Sequence, residues 1–221
     1  YMIDLYSAST PNGHKISIAL EEMNLPYNLI NIDLSHEKYK DSNFLSISPN
    51  GKIPAILDNE NGISVFESGA ILIYLAEKTN TFIPSDKLNR FMVLQWLFFQ
   101  TSGIGPMQGQ SNVFLEYFPE KLPSVIKRYQ NECIRLYGVL NKQLEDKEYI
   151  CGDISIADFA TFPWVSLYKW AGLEITDFSN IKNWLQRCNE RPAFIKGLEN
   201  PIWKNNKHED IRVGKKMIGE G

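Results

Sequence analysis

The stretch from Asn50 to Ser68 limits what this chain can fold into more than any other. Asn50-Gly51-Lys52-Ile53-Pro54 leads into Ala55-Ile56-Leu57-Asp58, Asn61-Gly62 separates that run from Ile63-Ser64-Val65-Phe66, and Glu67-Ser68 opens a further apolar run. Asn-Gly between two short apolar runs signals a tight turn, because both residues tolerate positive φ. The spacing predicts a β-hairpin over 55–66. Ser68 then stands where an N-cap belongs, ahead of Ile71, Leu72, Tyr74 and Leu75, whose spacing loads one helix face. A proline therefore enters the first strand of an antiparallel pair, and a serine-capped helix leaves the second.

That arrangement suits a small peptide-like anion. Pro54 cannot donate to a ladder, and in the cis form it would turn the backbone N–H and C=O of Ile53 outward, free to pair with an extended ligand. The sequence leaves the isomer open. A helix N-terminus at Ser68 offers uncommitted N–H groups, a hydroxyl and the positive end of the dipole to a carboxylate, while Glu67 can pair with an ammonium. Together they fit a zwitterionic amino-acid head group. Read without a ligand, Glu67-Ser68 is simply a helix cap.

The preceding residues supply the frame. Ile3-Asp4-Leu5-Tyr6 reads as a strand, Ser7 to Gly13 as a turn and cap cluster, and Ile16, Ala19, Leu20 and Met23 as the apolar face of a helix that Asn24 to Pro26 stops. Ile30, Ile32 and Leu34 alternate with polar residues as a second strand, so a parallel pair with a crossover helix is expected. Ser35 to Phe44 is polar and reads as a loop or short helix. The order βαβ then ββα is that of the thioredoxin-like fold. Where such a fold carries Cys-x-x-Cys, at the start of the first helix, this chain has Ser9-Thr10-Pro11-Asn12. Its three cysteines, Cys133, Cys151 and Cys188, lie far apart with no metal spacing, so no metal site is expected and each reads as a small buried hydrophobe. The sulfur of any thiol chemistry must then come from a ligand.

Strand-like alternation stops after the hairpin. Phe91, Leu94, Trp96, Leu97 and Phe98 load one helical face, which is expected to end at Gly103-Ile104-Gly105-Pro106; a second helix is predicted from Leu122 or Ser124 to Leu144. Ser155-Ile156-Ala157-Asp158 is a capping-box pattern opening a helix through Phe159, Phe162, Val165 and Leu167, with Asp158 structural. Shorter helices over 180–189 and 191–198 follow. The expected organisation is a thioredoxin-like unit over 1–80, a linker over 81–88, an all-helical unit over 89–203 and a charged tail over 204–221 that frays or wraps loosely. A net charge of −3, with no dense Lys/Arg run ahead of the tail, argues against nucleic acid or an anionic membrane surface. Phe91 to Phe99 is too short to span a bilayer, and Asp4, Asn12 and His14 spoil a signal-peptide reading of the start, so a cytoplasmic protein is expected.

Taken together, Tyr6-Ser-Ala-Ser-Thr-Pro-Asn-Gly-His14, Asn50-Gly-Lys-Ile-Pro54, Glu67-Ser-Gly-Ala-Ile71, Gln95-Trp-Leu-Phe-Phe-Gln100 with Gly105 to Gln110, and Ser155-Ile-Ala-Asp158 resemble the cytosolic glutathione transferase superfamily over essentially the whole chain. Within it they resemble the nu-class bacterial enzymes and their fungal relatives of the yeast nitrogen-regulator and prion type. The resemblance implies a glutathione-dependent disulfide-bond oxidoreductase, a homodimer with each site near the subunit interface, and glutathione as co-substrate. It places the Ile53 backbone, ahead of Pro54, on the cysteinyl unit, Glu67 and Ser68 on the γ-glutamyl end and Lys52 near the glycyl carboxylate. Tyr39, beside Lys38, stands where relatives carry a ligand-touching Gln or His, and Arg128 matches a basic residue that reaches across from the partner subunit.

For the sulfur, the resemblance points to Thr10 and Asn12. Donors from both, with the dipole of the first helix behind them, favour thiolate over thiol, whose unperturbed pKa is about 8.5. Tyr6 and Ser9 are the alternatives, and a plain cap is the competing account of Thr10 and Asn12. Trp96, Phe99, Trp164 and Tyr168 form a candidate second-substrate pocket, although aromatic residues at helical spacing also make ordinary core. Two other functions are compatible with the same features: conjugation of glutathione to an electrophile, and a non-catalytic glutathione-binding regulatory module.

Overall fold

The structure, a computed structural model, describes residues 2–35, 40–202 and 213–214. Its first part runs β1 (Ile3–Ser7), α1 (Pro11–Glu22), β2 (Tyr27–Asn31), α2 (Ser42–Ile47), β3 (Ala55–Asp58), β4 (Ile63–Phe66) and α3 (Ser68–Thr79). The strands lie in the order β2-β1-β3-β4, with β1 parallel to β2 and antiparallel to β3. This is the predicted thioredoxin-like arrangement. Ile3 and Leu5 alternate with half-buried Asp4 and Tyr6, so β1 buries one face under α1 and α3 while Tyr6 meets Phe44 of α2 with ring centroids 5.9 Å apart. The segment expected as a loop or short helix thus contains α2, capped by Asp41 accepting from Phe44 N at 2.8 Å.

Besides β2, which covers Tyr27–Asn31 and leaves Ile32 and Leu34 beyond its end, two local expectations change. Asp58 pairs with Ile63, so the hairpin loop has four residues, not the two-residue Asn61-Gly62 turn. The Asp58 carboxylate accepts from Glu60 N, Asn61 Oδ1 accepts from Ile63 N, and only Gly62, at φ 71°, takes the left-handed conformation. Asn61 spends its side chain on the turn instead of its backbone. Second, Ser68 is the first residue of α3 and not its N-cap; Glu67 holds the cap position, at φ 70° and ψ 117°, without a side-chain cap bond.

The second part is all helix among the described residues: α4 (Lys87–Phe99), a π-turn (Gln100–Ile104), α5 (Gly105–Asn112), a second π-turn (Val113–Tyr117), α6 (Pro123–Gln143), α7 (Ile156–Val165), a 3₁₀ turn (Tyr168–Ala171), α8 (Ser179–Asn189) and α9 (Pro192–Leu198). The helix does not end at Gly103-Ile104-Gly105-Pro106. Phe99 and Gly105 both keep right-handed helical angles, and the π-register absorbs a proline that has no N–H to give, so α4 runs on into α5. The helix opened by Ser155 stops at Val165, short of Leu167. Its capping box is complete, and all ten residues of α7 are buried. Asp158 accepts from Ile150 N, Ser155 N and Trp184 Nε1, each within 3.0 Å, which makes it a structural carboxylate. The tail expected over 204–221 lies, apart from 213–214, outside the described residues.

Helix α1 joins the two parts. A Cβ at Gly197 would stand 2.6 Å from Ile18 Cα, so α9 packs on α1 backbone to backbone. Ser17 Oγ donates to Gly197 O at 2.6 Å, and His14 Nε2 lies 3.1 Å from Pro201 O. Glu22 holds Arg191 at 2.6 and 2.8 Å, and Lys196 reaches Glu21 at 2.7 Å. His14 therefore packs, and burial lowers its pKa.

Candidate functional site

The start of α1 is fixed by a close approach. A Cβ at Gly13 would stand 2.2 Å from Ala8 O and 2.5 Å from Ser7 Oγ, so only glycine lets the β1–α1 loop fold back on the helix. Thr10 is the extended N-cap, its Oγ1 accepting from Gly13 N at 3.1 Å. The cap bond uses an oxygen lone pair, so the hydroxyl proton remains available to a neighbour. Pro11 brings no N–H, and the first turn carries no acidic residue to neutralise the positive end of the dipole. Asn12 is half-buried, and its Oδ1 accepts from Trp164 Nε1 at 2.9 Å. The Asn12 amide N–H groups are the part left to act. Tyr6 is half-buried, and burial, then the Asp4 and Asp41 charges, raise its pKa, so its hydroxyl stays protonated. Ser9 Oγ is buried without a hydrogen-bond partner among the described residues.

A second group of features lies at the start of α3. Ile53–Pro54 is cis, and among the described residues neither the N–H nor the C=O of Ile53 enters a hydrogen bond of the fold. Lys52 is exposed, its carbonyl accepting from Ser48 Oγ at 2.8 Å. Glu67, exposed, sits in a positive-φ conformation that costs a non-glycine residue about 1–3 kcal/mol and is characteristic of ligand clamps. Ser68 is buried beside a residue that sequence reading passed over. Lys15 of α1 is 2% exposed, and its Nζ lies 3.2 Å from Ser68 Oγ and 2.6 Å from Gln100 Oε1. Both partners are neutral. Burial pulls the Lys15 pKa down to about 7, opposed by the Glu67 charge, and Gln100 Nε2 has no partner among the described residues. A signal did exist: Lys15 shares a helix face with Ile18 and Ala19, where a charged residue is out of place. Tyr39 lies outside the described residues.

The aromatic candidates have different immediate neighbours. Trp96 and Phe99 meet edge to face at 5.0 Å and pack on the core. Trp164 is 9% exposed, its ring 6.4 Å from that of Trp170. Tyr168 lines a different, open cleft of about 570 Å³ with Ser166, Glu174 and Lys182. Arg128 lines another, of about 420 Å³, with Met107, Ser124, Val125 and Tyr129. It is 68% exposed and only loosely paired, 4.0 Å from Glu132. All three cysteines are free thiols. Burial pushes Cys133 and Cys151 up to about 12 and Cys188 higher still. Among the described residues no cluster of His, Cys, Asp or Glu could hold a metal, and no helix is long and apolar enough to cross a membrane.

Comparison with known proteins places this geometry. Residues 2–77 match the N-terminal domain model of glutathione S-transferases and residues 95–192 the C-terminal domain model. The disulfide-bond oxidoreductase YfcG of Escherichia coli K12 is 48% identical over 203 residues, covering 89% of this chain and 94% of that protein. A glutathione transferase family member from Pseudomonas fluorescens, solved with two glutathione bound, is 42% identical with a TM-score of 0.84, covering 90% and 92% of the two chains. A Pseudomonas putida glutathione transferase, solved with one glutathione disulfide per subunit, is 39% identical, also with a TM-score of 0.84 and the same coverage.

Proposed function

The chain belongs to the glutathione S-transferase superfamily, among its nu-class members, and from that premise we propose that it reduces small disulfides with the thiolate of bound glutathione and no cysteine of its own. One observation carries this reading. Among the described residues Thr10 and Asn12 keep free donors at the uncompensated positive end of α1, whereas every protein thiol is held protonated by burial.

Glutathione lies with its cysteinyl unit along Ile53, ahead of Pro54, its glycyl end toward Lys52 and Tyr39, and its γ-glutamyl head at Glu67 and Ser68. Lys15 is the buried cation beneath Ser68 and adds its charge to the carboxylate site. The thiolate attacks one sulfur of a disulfide, forming a glutathionyl mixed disulfide and expelling the other half as thiolate. A second glutathione attacks the glutathionyl sulfur of that mixed disulfide, giving glutathione disulfide and releasing the remaining thiolate. Two thiols are oxidised and one disulfide reduced. A Pseudomonas fluorescens relative with two glutathione bound and a Pseudomonas putida relative with glutathione disulfide bound support this stoichiometry. Trp96, Phe99, Trp164 and Tyr168 remain the aromatic group that faces the second substrate in this reading.

The working unit is a homodimer in which Arg128 of one subunit serves the site of the other, with 1–80 as the glutathione-binding unit, 81–88 as linker, 89–203 as the helical unit and 204–221 as tail. Supporting it, α4 exposes Leu88, Phe91, Met92 and Phe98, and β4 exposes Ile63 and Phe66. A Phe91→Asp, Phe98→Asp variant is expected to sediment as a monomer with much reduced exchange. An unchanged dimer, or a fully active monomer, contradicts the assembly.

Turnover of a small disulfide with glutathione, coupled to glutathione reductase and NADPH, tests the function. Activity is expected to survive replacement of Cys133, Cys151 and Cys188 and to fall about a hundredfold in Thr10→Ala, Asn12→Ala. Loss of activity on removing one cysteine from a protein that still folds would overturn the ligand-thiolate reading.

A further inference from the structure

One part of the candidate site comes from the far half of the chain. Trp164, at the end of α7, donates its indole N–H to Asn12 Oδ1 at 2.9 Å, across 152 residues of sequence. An indole N–H can only donate, so the Asn12 atom facing it is the amide oxygen, and the amide is held one way round. Resting on the reading of Asn12 as a donor to the ligand sulfur, we propose that Trp164 is a positioning residue that presents the NH2 end of the Asn12 amide, not its oxygen, to the thiolate. Turned by 180°, the same side chain would offer lone pairs and favour the neutral thiol. Thiolate stabilisation in the N-terminal unit then depends on a hydrogen bond from the helical unit.

The surroundings of Trp164 hold it for this purpose. Gln108 Nε2 donates to the Trp164 carbonyl at 2.6 Å, and Tyr137 Oη donates to Gln108 Oε1 at 2.7 Å. Both residues are buried, Gln108 completely. A Cβ at Gly109 would stand 3.4 Å, and one at Gly105 3.5 Å, from atoms of the indole, so α5 packs closely against the ring. A chain of hydrogen bonds thus runs from α6 through α5 to the backbone of α7, and the Trp164 side chain carries it on to the start of α1. A core residue or the wall of a second-substrate pocket would need the ring's bulk; neither needs the N–H aimed at Asn12.

The test is the pH dependence of kcat for disulfide reduction at saturating glutathione, whose acid limb reports ionisation in the bound complex, with melting temperature measured in parallel. Trp164→Phe removes the N–H. Incorporating the benzothiophene analogue of tryptophan at position 164 removes it while keeping the ring's shape, and serves if Trp164→Phe fails to fold. Either change is expected to move the acid limb up by about half to one pH unit, with KM for glutathione within about twofold. In an Asn12→Ala background neither should shift it further. A lower melting temperature with the limb in place, or a shift that adds in full to that of Asn12→Ala, overturns the positioning role. Should Asn12→Ala itself leave the limb unmoved, the reading of Asn12 falls, and this inference with it.

Discussion

Helices α1 and α7 both begin in the interior, and their first turns are treated in opposite ways. At α7, Ser155 and Asp158 satisfy each other's backbone donors, and Asp158 further takes Ile150 N and Trp184 Nε1. A carboxylate sits on the positive end of the dipole, and no donor is left for a ligand. At α1, Thr10 accepts one N–H, Pro11 offers none, no acidic residue stands in the turn, and Trp164 occupies only the oxygen of Asn12. The same electrostatics yields stability when the end is closed by the protein's own anion, and when it is left open it gives the proposed thiolate site.

Changes at the two ends separate these outcomes. Asp158→Ala strands several buried donors and is expected to cost about 3 kcal/mol of stability, read by urea unfolding, while the folded fraction keeps its acid limb. A shifted limb with unchanged stability would break the contrast. Thr10→Ala, Asn12→Ala should do the reverse: exchange falls by about 2.7 kcal/mol in activation free energy, and stability by about the 1 kcal/mol of one lost cap.

Lys15 sharpens the comparison from the ligand's other end. Its pKa in the ligand-free fold, about 7, lies below the ordinary 10.5, so between these values the unfolded chain binds more protons and stability rises with pH. Lys15→Met should flatten that slope. A carboxylate bound beside Ser68 should restore the charge, so S-methylglutathione, which has no thiol proton to lose, should take up a proton on binding above neutral pH. Calorimetry in buffers of different ionisation enthalpy measures it, and Lys15→Met should abolish it. The smallest effect belongs to Tyr6→Phe: its ring packs on Phe44 and phenylalanine keeps that contact, so kcat should stay within about twofold. A large loss would move the sulfur site from the start of α1 to the end of β1.

What could be read in advance was local. The hairpin, the Ser155 capping box and the short segment over 180–198 follow from residues a few places apart. The four-residue hairpin loop escaped because the Asp58 carboxylate and the Asn61 side chain compete with a tight turn, a choice the Asn-Gly pair alone does not reveal. Pro106 looked like a stop because a π-register, which needs no N–H there, leaves no plain mark in sequence. Lys15 and Trp164 find their partners 53 and 152 residues away, beyond any periodicity. Trp164 read as part of an aromatic pocket, and only the fold shows which atom it gives and to whom.

The central claim is that the reactive sulfur belongs to the ligand and is ionised by the start of α1. Ultraviolet titration of the thiolate of bound glutathione, in a variant without Cys133, Cys151 and Cys188, measures this directly, with the S-methylglutathione complex as blank. The account predicts a thiolate band titrating at least about one unit below free glutathione, and moving back toward it in Thr10→Ala, Asn12→Ala. A bound thiol that titrates with free glutathione, or a lowered pKa indifferent to Thr10 and Asn12, would contradict it.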